Sequence, residues 1–253
     1  MIVNKSFKDQ IKRGERVSKT ASELLLSGYR KKVCKSQNLI CLGILVVGCM
    51  LSGCSTVKTM ADQATSSFKE DWNRTSDKNN LARVESSLRW GSIGEAWKFA
   101  NKLHFPENRA EALRLIALCE KNPQGEFQPR EETLSQLKVA IDQISEPKEA
   151  LYYELSLVEL TFQLNPEKAR KDLKTCEKKI WEIASAQERA PFLIRIVSFE
   201  LETAKNLEAA KKAISVAKNT IQMIAIKQIR ESQENELALI IESHSNVLCS
   251  ENQ

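Results

Sequence analysis

Chain breakers are scarce in this sequence. It carries 8 glycines and 6 prolines in 253 residues, and aromatic residues make up 6 %. So few breakers, set among abundant Ala, Leu, Glu and Lys, leave little room for a turn-rich β fold and point to helix. Histidine is nearly absent: His104 and His244 are the only two. A metal centre needs several ligands at suitable spacing, so no metal site is expected, and a structural or surface role is assigned to both rings. There is no Gly-rich phosphate loop and no Gly-x-Ser-x-Gly elbow. No catalytic residue and no cofactor site can therefore be named. No apolar run reaches the length of about 20 residues that a transmembrane helix requires.

Charge is present but uneven. Residues 1–53 hold 10 Lys and Arg against 3 Asp and Glu, which leaves 28 against 30 in the rest. The overall +5 is thus a property of the N-terminal segment. The remainder is faintly acidic, and the clustered cations that phosphate binding needs are missing. No nucleic-acid partner is expected. The most basic stretch, Lys168–Lys179, is interrupted by Asp172 and Glu177. It reads as a solvated helix face, with contact to anionic headgroups as the alternative. Glu131-Glu132 and Glu234/Glu236 read as solvated helix ends.

The longest apolar stretch runs from Leu39 to Gly53, fifteen residues behind Arg30, Lys31, Lys32 and Lys35. A secretory h-region needs roughly 7–15 residues behind a positive segment. Its glycines, Gly43 and Gly48, would weaken a buried strand. The run ends in Leu51-Ser52-Gly53-Cys54, which resembles the lipobox of bacterial lipoproteins. The resemblance implies cleavage between Gly53 and Cys54, lipid on the Cys54 thiol, and Cys54 as the new N-terminus. It implies an exported, lipid-anchored protein of the cell envelope, with the membrane as one partner. Ser55 is not the Asp that favours inner-membrane retention in enterobacteria, so the outer membrane is favoured in a Gram-negative cell. Cys34, Cys41 and Cys49 then leave with the leader. The n-region, running to residue 38, is longer than the family pattern. Translation from a non-Met codon such as that of Leu26 or Val33 would restore an ordinary length; a cytoplasmic extension over residues 1–30 is the alternative. A further reading keeps the leader as an uncleaved anchor.

Residues 54–80 follow as a tether. Ser, Thr, Asp, Asn and Lys dominate, with Phe68 and Trp72 spaced for one short helix. A flexible spacer of this length would reach about 30 Å.

Residues 81–253 read as an all-α domain built from a repeat. NPEKARKDLKTCEKKI at 165–180 aligns without gaps with NLEAAKKAISVAKNTI at 206–221, and NRAEALRLIAL at 108–118 answers ERAPFLIRIVS at 188–198. KEALYYELSLV at 148–158 is the intermediate copy, with Ala150 in register with Ala110. About four helix hairpins with a period of 40–41 residues are expected, stacked antiparallel into an α-solenoid. First helices fall near 93–103, 131–144, 166–184 and 207–226, and second helices near 107–121, 148–163, 187–204 and 229–247. Ser92-x-x-Glu95 and Ser185-x-x-Glu188 match capping boxes. Asn165-Pro166 matches an N-cap followed by proline at the first helical position. The string Pro106-x-x-Arg109-Ala110-x-Ala112-Leu113-x-x-Ile116-Ala117 resembles degenerate tetratricopeptide-type repeats. The resemblance implies a groove for a peptide or protein partner, although the period is longer than that family's and its Trp-Leu-Gly-Tyr signature is missing.

Cys119 and Cys176 fall on helices and read as small core residues. An exported protein would also permit a disulfide among Cys119, Cys176 and Cys249. Trp90 and Trp97 stand where the first hairpin begins and are expected to pack as core or cap. The functional expectation is an envelope lipoprotein whose repeats bind a protein or peptide as scaffold or assembly factor. The alternative is a lipid-anchored enzyme whose α-helical domain works through carboxylates.

Overall fold

The structure, a computed structural model, describes residues 55–244, with side chains described for residues 66–244. The leader, Cys54 and Cys249 lie outside the described residues. The chain divides into two units, Met1–Thr65 and Ser66–Gln253, and the helical stack belongs to the second. Among the described residues there are nine α-helices and no strand. They are α1 Ser55–Arg89, α2 Ile93–Ala100, α3 Pro106–Cys119, α4 Glu131–Ile141, α5 Pro147–Phe162, α6 Pro166–Glu182, α7 Ala186–Ser198, α8 Leu207–Gln222 and α9 Lys227–Ser243. A π-helical turn, Phe199–Thr203, continues α7. The fold is all-α, with successive helices packed in adjacent pairs as in a solenoid.

Several helix starts follow from local sequence. Asn165 caps α6 by accepting a hydrogen bond from the Lys168 N–H at 2.9 Å, and Asn206 caps α8 from the Ala209 N–H at 3.1 Å. Pro106, Pro147 and Pro166 open α3, α5 and α6, where a missing N–H is harmless. In α6 the inward residues are Ala169, Leu173, Cys176 and Ile180, one per turn on a single face. The expected capping boxes do not form: neither Ser92 nor Ser185 makes a side-chain cap bond. Both helices instead begin with backbone bonds alone, Ala96 N–H to Ser92 and Arg189 N–H to Ser185.

The repeat is most regular at the end of each first helix. A tight turn closes there four times, by Leu103 N–H to Ala100, Ile144 to Ile141, Ile183 to Ile180 and Ile224 to Ile221. These turns are 41, 39 and 41 residues apart. They shift one expected register. Leu151, not Ala150, matches Ala110 and Ala190, and all three are buried while Ala150 is only half-buried. The same register brings Glu120, Thr161 and Glu200 to one buried polar position near the end of three second helices. Glu120 uses it to hold the next helix, accepting from the Arg130 N–H and the Thr133 hydroxyl, both at 2.7 Å.

The most extensive packing joins the second helix of one unit to the first helix of the next: α3 with α4, α5 with α6, α7 with α8. The helices within each expected hairpin, such as α4 with α5, pack less closely. Three apolar clusters result, along α1–α3, α3–α5 and α5–α9, and Trp97 packs against the first two.

Residues 55–80 are a correction. They were expected as a flexible tether and instead lie in α1. The stretch is polar but contains no Gly or Pro, so nothing in its backbone opposes helix. Tertiary contacts then hold its second half. Val84 is fully buried, with Leu81 and Leu88 packed in the same cluster. Asp77 is also fully buried. It accepts hydrogen bonds from the His104 N–H and Phe105 N–H at 2.9 Å each, and from Asn108 Nδ2 at 3.2 Å. Helix α3 has no cap of its own. Asp77 supplies one from α1.

Candidate functional site

Helices α4 and α6 both pack on α5, and an open groove of about 860 Å³ lies among the three. Helical spacing selects its lining. From α5 come Glu154, Leu157, Val158 and Thr161, on one face. From α6 come Lys168, Asp172, Thr175, Cys176 and Lys179, again one or two per turn. From α4 come Glu131, Glu132, Leu134, Ser135, Lys138 and Val139. The floor is therefore partly apolar and the rims carry charge of both signs.

Two ion pairs stand at the groove. Lys179 on α6 donates to Glu154 on α5, and Lys138 to Asp142 at the end of α4. The second Glu154 carboxylate oxygen is buried without a partner. The hydrogen bond to Asp142 raises the Lys138 ammonium above its ordinary value. Burial pushes the Cys176 thiol up to about 12, with the charge of Glu154 adding to it. A thiol held protonated is a poor nucleophile, so Cys176 serves packing. Cys119 is raised by burial too, and both cysteines are free.

The other sequence-named residues lie elsewhere. His104 is half-exposed, its Nδ1 2.8 Å from Asp77 Oδ1. His244 ends α9 against Ser243 and the Ile240 carbonyl. Trp97 is partly buried between two clusters, as expected. Trp90 is a correction: it is 86 % exposed. It follows the last turn of α1, where Gly91 at φ +73 turns the chain and leaves the indole outside. In the basic stretch, Lys168 and Lys179 face the groove while Lys171, Lys174 and Lys178 are exposed. Burial raises the carboxyls of Glu149, Glu177 and Glu236, and none of the three lines the groove. Among the described residues no three His, Cys, Asp or Glu side chains gather as a metal would require. None of their helices is long and apolar enough to cross a membrane.

The sequence leads to the expectation of a groove but does not place it. Its walls come from two units spread over residues 131–179, and no local motif marks such a site. The signal available was the alternation of inward and groove-facing positions on α6: Ala169, Leu173 and Ile180 against Lys168, Asp172 and Lys179. The chain matches no protein-family model, no curated protein and no solved structure.

Proposed function

We propose that the protein is an exported lipoprotein, acylated on Cys54, whose helical stack holds a peptide or an extended segment of a partner protein in the groove between α4 and α6. The observation that carries the binding role is the groove itself. It is open, sized for several side chains, apolar along Leu157 and Val158, and edged by Lys168, Asp172 and Glu131. A peptide backbone and mixed side chains suit such a lining, and the resemblance to tetratricopeptide-type repeats implies a groove of this kind. The carboxylates whose pKa is raised stand outside the groove, which favours binding over acid–base chemistry there. The Leu51-Ser52-Gly53-Cys54 sequence supports the anchor.

Two experiments test the two halves. The mass of the N-terminal fragment from native membranes should be that of a lipid-modified peptide beginning at Cys54; an intact leader with a free Cys54 thiol refutes the anchor. A photo-cross-linking residue at Val139 or Thr175 should capture one partner in cells, and the same residue at Lys171 should not. Equal capture from all three positions refutes the groove as the binding site.

A further inference from the structure

Helix α1 packs against the stack with one face. Asp77, Leu81, Val84 and Leu88 recur on it every three or four residues. At about 100° per residue, the opposite face carries Phe68, Trp72, Thr75, Asn79, Ala82 and Ser86, and all six are exposed. Phe68 is 71 % and Trp72 68 % exposed, one turn apart. The strip holds no charged residue. Lys69, Lys78 and Arg83 border it, against Asp71 and Glu85, a small basic excess.

We propose that this strip docks on the phospholipid surface, with Phe68 and Trp72 seated at the boundary between headgroups and acyl chains. Aromatic side chains with an apolar body favour that boundary, tryptophan above all, and flanking cations suit anionic headgroups. Position supports the same occupant. Phe68 and Trp72 lie 14 and 18 residues after Cys54, and 14 residues reach at most about 50 Å. The inference rests on Cys54 as the anchor to this extent: a lipid there keeps the strip beside the bilayer. A second copy of the chain fits less well. A helix–helix seam needs apolar positions sustained over several turns, and beyond Trp72 the strip turns to Thr75, Asn79 and Ser86. The lipid fixes where the protein is. The aromatic pair adds a second attachment and so limits how the helix can rotate about the first.

The test uses the mature chain from its native envelope, reconstituted into vesicles of phosphatidylcholine and phosphatidylglycerol with brominated acyl chains. Bromine quenches only indoles that enter the boundary. The chain has four tryptophans, so wild type is compared with Trp72→Phe; Trp72 is exposed and the change leaves the fold intact. The mass of the N-terminal fragment of the same preparation reads the anchor. The expected result is a loss of emission in wild type that Trp72→Phe does not show. Equal quenching of the two in chains that float overturns the docking and leaves the anchor standing. A chain that keeps its leader, with Cys54 a free thiol, overturns the anchor, while quenching specific to Trp72 in that chain still upholds the docking. Protection of Trp72 from acrylamide in the absence of vesicles, together with a dimeric mass, overturns the docking in favour of a second copy.

Discussion

Asp77 shows how one side chain can decide whether a segment belongs to a fold. Burial pushes its carboxyl up, but the hydrogen bonds from Phe105, His104 and Asn108 outweigh this and hold it below its ordinary value of 3.8. Replacing Asp77 with Ala leaves two N–H groups at the start of α3 without an acceptor, a loss of about 1–3 kcal/mol. The folded-state pKa is depressed, so this stabilisation is complete above the unfolded value near 3.8 and fades as pH falls through the folded one. Urea titrations of wild type and Asp77→Ala should differ at pH 7 and converge in acid; a constant gap across pH would show that the ionised carboxylate is not what stabilises. Arg170 and Glu200 invite a different comparison. Glu200 is 3 % exposed and pairs with Arg170, whose guanidinium also lies over the Phe162 and Phe199 rings. Removing one member of a buried pair strands the other, whereas replacing both with apolar residues need not. Arg170→Met is expected to destabilise by about 3 kcal/mol, and Arg170→Met/Glu200→Leu by clearly less. Denaturant midpoints of the two variants decide it.

At the scale of the element, legibility followed the locality of the cause. Asn165 and Pro166 act within one turn, and the start of α6 could be read from them directly; the start of α8 followed from the alignment of Asn206 with Asn165 in the repeat. Helix α1 could not be read so. Its polar residues look like a spacer because the groups that hold it, His104, Phe105 and the cluster around Ala96 and Ile116, lie beyond it in sequence. The shift from Ala150 to Leu151 has a similar origin. Adjacent apolar residues both tolerate the inward position, and only the turn at Ile144 fixes which one takes it. The groove was illegible for the same reason on a larger scale, since Val139 and Thr175 meet only through α5. The same turn closes α6 at Ile180. Ile180 is fully buried at the end of α6, and its neighbour Trp181 is half-exposed beneath Arg189. Ile180→Ala should cost about 2–5 kcal/mol, and Trp181→Ala, whose ring is already 52 % exposed, less than Ile180→Ala, since its removal leaves no closed cavity. Thermal melts that ranked the two the other way would show that the turn is incidental to the repeat.

In the whole molecule as described, the extensive contacts join helices that neighbour one another along the stack, so stability is local and can differ along it. The largest apolar cluster spans α5–α9, and the smallest joins α1 to α3. The groove lies where two clusters adjoin: Leu134 and Leu157 belong to the α3–α5 cluster, and Val158 and Cys176 to the larger one. Regions with fewer buried apolar contacts open at lower free energy. Native-state hydrogen exchange should therefore show two tiers, with amides of α2 and α3 exchanging before those of α6, α7 and α8. A single cooperative tier would mean that the strong pairing of α3 with α4 transmits stability across the seam. A partner bound in the groove touches both clusters at once. Once one has been captured by cross-linking, its binding should slow exchange in α4, α5 and α6 and leave α9 unchanged, because α9 contributes nothing to the lining. Slowing confined to α9 would place the partner at the end of the stack, outside the groove.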